Sequence, residues 1–384
     1  MKVNEVESQK SINLWPWKER RECTAERFLL NPYSGCQIAC PYCYTRGYSG
    51  RFYDFWKKGI LTVYINYPER VSKTLEKLYY AATGYLSPST DPFQPINEKY
   101  KLSEKLIRVF LDFNLPVEVT TKRSPPREAI DLISKHRYSF FQISILTLNA
   151  STSRRLAPKG STPEELLNSM EEISKRGIYL VARIDPIIPG INDSPQELER
   201  LVKAVGQAGA RHIVASVLDI PIRAKESIVK TLDGLFPEKN LSRKFFNLYK
   251  EKIGGYLHAD TNYRKEVFST LKELATQQGL TFALCMEFER DPENPAIVKG
   301  LNEEFATTPH CEGARTPLFY RKSLKTPFEE VRGCSGNCLR CTFPKCGLRE
   351  LAIPLSGKLS HSLSTFRRKP EFKLPSEQSL FSSK

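Results

Sequence analysis

The sequence predicts an α/β protein: a partial barrel of parallel strands, of the (β/α)6 type, followed by a small cysteine-rich metal-binding unit. Three observations carry this expectation. Short β-branched or aromatic runs alternate with helical patterns from Phe28 to Met286, the rhythm of strand–helix units that build a parallel sheet. The runs are near-continuously apolar, as strands covered on both faces are. After about Arg290 the rhythm gives way to a stretch rich in Cys, Gly and Arg. An open doubly wound sheet is the architectural competitor.

The first strand is FLLN (28–31), which runs straight into the first cysteines. A helical stretch, PERVSKTLEKLYYAAT (68–83), leads into GYLSPST (84–90), and NEKYKLSEKLIRVFLDFN (97–114) leads into PVEVTTK (116–122). PPREAIDLISKH (125–136) feeds SFFQISILT (139–147), and TPEELLNSMEEISKRG (162–177) feeds YLVARIDPI (179–187). SPQELERLVKAVGQAG (194–209) feeds HIVASVL (212–218), and YRKEVFSTLKELATQQG (263–279) feeds TFALCM (281–286). The helices repeat their apolar residues every three or four positions. Gly177, Gly209 and Gly279 stand where C-terminal caps are wanted, and Pro125, Pro126 and Pro163 suit first turns.

The expected organisation is an N-terminal arm (1–24), the barrel (25–290), a cysteine-rich unit (291–354) and a disordered basic tail (355–384) containing FRRKPEFK. The cysteine-rich unit has too few apolar residues to hold itself together, so a metal is expected there. No stretch offers the ~18 uncharged apolar residues needed to cross a bilayer, so no membrane partner is expected. The first twenty residues contain no apolar secretion signal. The expectation is a cytoplasmic chain.

The formal net charge is +15. Thiolates holding two iron–sulfur clusters would lower it by about 3, and the chain would remain basic. A polyanionic partner such as nucleic acid fits that balance, although the positive residues are spread along the chain and solubility alone would also account for them.

Of ten cysteines, eight fall in two groups, Cys36, Cys40 and Cys43 in one and Cys311, Cys334, Cys338, Cys341 and Cys346 in the other. Clustered thiols in a reducing compartment point to metal before disulfides. Cys36, Cys40 and Cys43 are spaced C-x3-C-x2-C in NPYSGCQIACPYCYTR (31–46). A closed zinc site or a fully ligated [4Fe–4S] cube wants four protein ligands. Three on one loop leave a corner open for a small molecule, and the loop follows the first strand, at the end of a barrel where chemistry is done. A zinc site completed by a distant ligand, or unrelated buried thiols, are the alternatives.

The motif, its place after the first strand and the aromatic Tyr42 before the last cysteine resemble the radical S-adenosylmethionine (radical SAM) superfamily. The resemblance implies that Cys36, Cys40 and Cys43 hold three irons of a [4Fe–4S] cluster while the fourth binds S-adenosyl-L-methionine (SAM). Reductive cleavage of SAM then gives a 5′-deoxyadenosyl radical that abstracts a substrate hydrogen. It also implies an electron donor such as flavodoxin or ferredoxin. With STDPFQP (89–95), TKR (121–123) and the strand containing Ser144, the stretch from roughly Arg27 to Leu218 is similar to the spore photoproduct lyase-like (DNA repair photolyase-like) branch. Carried over, Ser89, Lys122 and Ser144 contact the methionine part of SAM and Tyr42 lies near its adenine. Arg183 is added as a partner for the SAM carboxylate, since a guanidinium forks well onto one. The plainer readings are a solvated strand end for Lys122, a satisfied core hydroxyl for Ser144, and a salt bridge from Arg183 to Asp185 or Glu171.

One departure matters. Photoproduct lyases carry a hydrogen-donating cysteine just after the second strand, where this chain reads YLSPSTD (85–91). A serine O–H is too strong to give up a hydrogen atom, so photoproduct repair itself is not expected. Tyr44, Tyr48 and Cys285 are the candidates to replace that donor.

The second group, Cys334, Cys338, Cys341 and Cys346, reads C-x3-C-x2-C-x4-C. Four thiols can saturate an auxiliary [4Fe–4S] cluster or, as the alternative, zinc. Cys311 could displace one of them, and His310 beside it keeps a mixed site open. A cluster would relay an electron or staple the unit. Arg332, Arg340, Lys345 and Arg349 are either a phosphate-binding face or a solvated surface. The leading expectation is therefore a radical SAM enzyme acting on nucleic acid or a nucleotide. A peptide or small-molecule maturase using the auxiliary cluster is second, and a zinc-stapled, non-catalytic nucleic-acid-binding protein is third.

Overall fold

The computed structural model describes residues 1–14, 21–356 and 362–370. Seven parallel strands form its central sheet: β1 (Arg27–Leu30), β2 (Thr83–Leu86), β3 (Val117–Thr121), β4 (Phe140–Ser144), β5 (Tyr179–Ile187), β6 (His212–Val217) and β7 (Thr281–Leu284). Each strand lies beside its predecessor, and every pairing is parallel. The order never reverses, so there is no switch point and the doubly wound alternative falls. Between successive strands run α1 (Tyr67–Leu75), α2 (Leu102–Asp112), α3 (Arg127–Ile133), α4 (Pro163–Lys175), α5 (Pro195–Gln207) and α6 (Thr261–Gln277).

Local chemistry explains the helix ends. Thr162 and Glu165 form a reciprocal capping box with Pro163 in the first turn of α4, and Ser194 caps α5. The glycines expected after α4, α5 and α6 all take the left-handed conformation. Two helices are shorter than their sequence pattern. The pattern over 68–83 stops at Leu75 because Tyr80–Ala81 is taken up as a strand against Phe319–Tyr320. The pattern over 97–114 breaks at Lys101 (φ 53°), since the Asn97 side chain accepts from the Ser103 amide and caps α2 itself.

The main core lies between sheet and helices, where Phe28, Phe110, Phe141, Phe268 and Phe282 are fully buried. The inside of the barrel is different: a small apolar layer of Phe140, Val181 and Val214, and otherwise polar side chains. Among the described residues β7 does not pair with β1. That gap is bridged by the buried Glu22 carboxylate, which accepts from the Glu287 and Asn302 amides.

Three regions depart from, or add to, what periodicity suggested. Lys2–Val6 is a strand paired in parallel with Ile60–Tyr64. Residues 220–260 form an insertion after β6, with a small antiparallel sheet (Ile220–Pro221, Glu251–Ile253, Tyr256–His258) and helices Lys225–Leu235 and Leu241–Leu248. In the tail, expected to be disordered from 355, Leu363–Phe366 is helical and Phe366 is buried against Phe28, with ring centroids 4.9 Å apart. The Phe366 carbonyl also accepts from the Tyr79 amide (2.8 Å) and Arg368 pairs with Glu350 (2.6 Å), so ring, backbone and charge dock the segment together. Residues 357–361 and 371–384 lie outside the described residues.

Candidate active site

The cysteine loop leaves β1 at the C-terminal end of the sheet, the mouth of the barrel. Tight turns closed by Ala39 N–H to Cys36 C=O, Cys43 N–H to Cys40 C=O and Arg46 N–H to Cys43 C=O bring the three cysteines onto one short coil. Their frame comes from the loop after β2. The buried Gln94 accepts from the Gln37 amide (2.9 Å) and donates to the Gly35 carbonyl (3.3 Å), gripping the chain on both sides of Cys36. Asp91 is tied by its carboxylate to the Phe93 and Lys122 amides and the Thr121 hydroxyl, while its own amide donates to Cys36 Sγ at 3.3 Å. The Thr45 hydroxyl lies 3.0 Å from Cys43 Sγ and accepts from the Trp56 indole.

These contacts give STDPFQP a physical role: Asp91 and Gln94 position the cysteine loop. Sequence reasoning quoted the motif and missed both residues. The signal was available, because polar side chains inside a Pro-punctuated loop beside a ligand run have somewhere to bond.

Burial pushes the three thiols up, Cys40 to about 11 against the pull of the Lys122 ammonium. Thiolates form here only with a cationic core to compensate them. Among the described residues no three His, Cys, Asp or Glu side chains converge as ligands of a single ion. A [4Fe–4S] core asks for something else, one thiolate at each iron corner.

Around the mouth, Ser87, Thr90 and Ser144 carry buried hydroxyls without a protein partner. Ser144 ends β4, and Lys122 follows β3; the two line one small cavity. The Lys122 ammonium reaches the Asp185 carbonyl at 3.4 Å. Ser89 stands three residues beyond β2, its amide on Asn31. Tyr42 is buried, with Cys40 and Asp185 close enough to join burial in raising its pKa. Three thiols on one loop and unpaired polar atoms beside them fit a three-thiolate [4Fe–4S] cluster with SAM next to it.

Arg183 is placed as the plainer reading had it. Its guanidinium bonds Asp185 (Nε–Oδ2 3.0 Å), Gln142 (2.9 Å) and Cys285 Sγ (2.7 Å), which leaves it a wall of the chamber. Of the candidate hydrogen donors, Tyr44 is fixed to the Pro88 carbonyl at 2.5 Å, and Tyr48 packs edge-on against Tyr44. Cys285 faces the chamber, its pKa pushed up to about 12 by burial despite Arg183. Tyr85, a chamber residue the sequence reading did not single out, lies near Arg183 and Cys285.

Below the chamber, Arg27 bonds Glu118 (2.6 Å) and Glu312, and Gln142 donates to both carboxylates. Burial and the neighbouring Glu312 push Glu118 well up. Burial would raise Glu312 too, but Arg27 and the Glu118 contact outweigh it and hold it low. Glu312 belongs to a segment that plugs the N-terminal end of the barrel. At Gly313 (φ 67°) a Cβ would lie 2.4 Å from Tyr179 Oη and 2.6 Å from the His212 ring.

The second cysteine group sits at that same N-terminal end. The Cys338 amide donates to the Thr24 carbonyl (2.6 Å), the Leu318 amide points at Cys334 Sγ (3.5 Å), and the Cys338, Cys341 and Cys346 thiols are raised by burial and each lies near enough to Cys334 to be raised by it as well. The four residues of β1 alone, at ~3.3 Å each, put ~13 Å between the two ends. Cys311 does not join the four. Its Sγ lies 3.4 Å from the Thr24 amide and beside the free Cys23 thiol, whose chain enters the bottom of the barrel alongside it. Next to it His310 is half-buried, its pKa lowered by burial and by Arg27 and Arg315.

Comparison with known proteins agrees with this geometry. Residues 30–205 match the model of the Radical SAM superfamily. A protein of Pseudomonas phage M6, "Radical SAM Nalpha-GlyT isomerase", is 30% identical over 343 residues, covering 85% of this chain and 69% of its own. An uncharacterized protein of Methanocaldococcus jannaschii is 24% identical over 193 residues, covering 50% of this chain and 70% of its own. In fold, the chain is similar to a mutant of spore photoproduct lyase, with a TM-score of 0.56 at 15% identity over 74% of this chain and 82% of that one. A second lyase mutant, solved with bound AdoMet and dinucleoside spore photoproduct, gives 0.53 at 16% identity over 70% and 78%.

Proposed function

Because this chain belongs to the radical SAM superfamily, and is thereby an enzyme of the kind that uses a [4Fe–4S] cluster and SAM, we propose that it isomerises a modified nucleotide. When bound, cluster and SAM supply a carbon radical that takes a hydrogen atom from the substrate. In this reading Cys36, Cys40 and Cys43 hold the cluster, and Ser89, Lys122, Ser144 and Tyr42 hold SAM. The Arg183–Asp185 pair, with Tyr85, lines the chamber that orients the substrate and keeps water out. A one-electron donor such as flavodoxin or ferredoxin completes the system.

One observation carries the choice of isomerisation over repair. The loop after β2 offers the hydroxyls of Ser87, Ser89 and Thr90 where a thiol donor would stand. An isomerisation returns the hydrogen it removes, so it needs no separate donor. The name of the phage relative, an Nalpha-GlyT isomerase, supports the same class; we read GlyT as a modified nucleoside and take it as the first substrate to test.

The test is anaerobic turnover with such a nucleoside, free and within an oligonucleotide, counting 5′-deoxyadenosine against product. Isomerisation predicts an isomeric product with well under one 5′-deoxyadenosine formed for each. One for each, with an isomeric product, would mean that SAM is consumed and that a separate donor supplies the hydrogen; a product that is not an isomer of the substrate would overturn the isomerase reading. For the second cysteine group we propose a metal centre, an auxiliary [4Fe–4S] cluster ahead of zinc, that staples the N-terminal plate of the barrel. About eight irons falling to about four in a Cys36→Ala/Cys40→Ala/Cys43→Ala variant would support the cluster; about four falling to none, with zinc retained, would replace it with zinc.

A further inference from the structure

An open groove of about 500 Å³ lies beside the mouth, outside the chamber already described. One wall is the loop after β5, from Pro189 to Asp193; another is helix Leu241–Leu248 of the insertion; Tyr263 at the start of α6 closes the third. The insertion also packs against the cysteine loop. Arg46 reaches Ser227 at 3.4 Å, and a Cβ on Gly47 would lie 2.7 Å from Pro221. The groove therefore opens on the rim of the same mouth.

Its chemistry is cationic. Lys239, Arg243 and Lys244 line it with the amides Asn240 and Asn247. Among the described residues, none of the three cationic side chains is ion-paired. The single lining carboxylate, Asp193, is committed to the Gly190 amide (2.8 Å) and the Tyr263 hydroxyl (2.7 Å). Lys244 lies over the backbone of Gly190 (φ 84°), where a Cβ would meet its Nζ at 2.5 Å, so the ammonium rests at the groove floor because that residue has no side chain. One turn from Arg243 on the same helix, Phe246 is 76% exposed. An aromatic ring held in water next to unpaired cations and amide donors is the combination that binds a nucleic-acid strand: charge for phosphates, a flat face for a base.

We propose that this groove binds the phosphodiester backbone of nucleic acid and holds the strand that delivers the reacting nucleotide to the barrel mouth. The proposal rests on the nucleotide-substrate reading above and adds that the substrate is a polymer. Phosphates bond Arg243, Lys244 and Lys239, and Phe246 stacks on a flanking base.

The experiment is fluorescence anisotropy of a labelled single-stranded oligonucleotide with the full chain, over a series of salt concentrations. The proteins are wild type, Arg243→Glu/Lys244→Glu, Phe246→Ala, and a charge-matched control, Lys105→Glu/Lys203→Glu, on the outer helices α2 and α5. Loss of two phosphate contacts should lower the slope of log affinity against log salt by about 1.4, at ~0.7 each for a single strand, and weaken binding at least tenfold. Phe246→Ala should weaken it by about tenfold with the slope unchanged. The control should bind as wild type does. Reversal and control variants that bind equally would overturn the groove and leave the nucleotide reading standing. So would a wild type that converts the free nucleoside but binds no strand, or one that binds only vesicles of acidic lipid. If wild type neither binds a strand nor converts the nucleoside, both readings fall. Should the reversal variant fail to fold by circular dichroism, Phe246→Ala decides alone.

Discussion

Replacing Gln94 tests whether the loop after β2 is what holds the cysteine loop in place. Gln94 is fully buried and makes two bonds, to the Gln37 amide and the Gly35 carbonyl, immediately on either side of Cys36. Gln94→Leu keeps the volume and removes both. Each lost neutral bond is worth about 1 kcal/mol, and leaving the Gln37 amide without an acceptor adds about 1–3 more. The leucine's extra apolar burial recovers part of this, so the net cost is about 3 kcal/mol. For a chain of this size that is a fall of roughly 6 °C in melting temperature, at about 2 °C per kcal/mol. Gln94→Glu separates the two bonds. It keeps an acceptor for Gln37 but turns a carboxylate oxygen toward the Gly35 carbonyl, so it should cost at least as much. Melting temperature, iron bound after anaerobic reconstitution and the rate of 5′-deoxyadenosine formation should fall together. Both variants melting within about 1 °C of wild type with full iron would refute the claim that Gln94 anchors the cluster loop.

Gly313→Ala should destabilise the chain by about 3 kcal/mol, from a left-handed backbone and a Cβ in contact with Tyr179 and His212; calorimetry should show this with lowered metal content at the Cys334–Cys346 group, and an unchanged melting temperature would refute the plug. His212 is buried, with Nδ1 on Thr281 and Nε2 on the Cys311 carbonyl, and burial pushes its pKa down to about 4. Because the folded pKa lies below the unfolded one, this contribution is present above pH ~6.5 and is lost as pH falls through ~4, up to about 3 kcal/mol; His212→Gln should flatten the stability–pH curve in that window, and a curve parallel to wild type would contradict it. If the reaction is the proposed isomerisation, with the hydrogen returned and not donated by a thiol, Cys285→Ala should keep isomer formation within a few-fold; product lost while 5′-deoxyadenosine still forms would make Cys285 the donor.

Much of the fold was legible because its signals are local. Apolar runs, helix periodicity, Thr162 and Ser194 at helix starts and glycines at helix ends are all set within a few residues of one another, and each strand lies within a few residues of its expected place. Where long-range contact competes with local preference, periodicity misjudged the outcome. Tyr80–Ala81 looks helical yet pairs with Phe319–Tyr320, and Phe366 in a charged tail finds Phe28. The insertion at 220–260 went unread because its short strands pair only with each other.

The same division runs through the site. The C-x3-C-x2-C spacing points to its chemistry by itself, since three thiols in eight residues after a strand offer a metal three ligands from one loop. What those thiols rest against is another matter. Gln94 and Asp91 act on Cys36 only once β1 and β2 lie side by side, and Arg183 is a wall of the chamber because Asp185, Gln142 and Cys285 surround it. Spacing likewise marks Cys334, Cys338, Cys341 and Cys346 as the candidate second metal group, but the end of the barrel it occupies is decided by the Thr24 carbonyl and the Glu312 plug. Ligand identity is carried by residue type and short-range spacing, which a linear chain contains. Burial, charge partners and distance between sites depend on which distant segments meet, and only the folded chain brings them together.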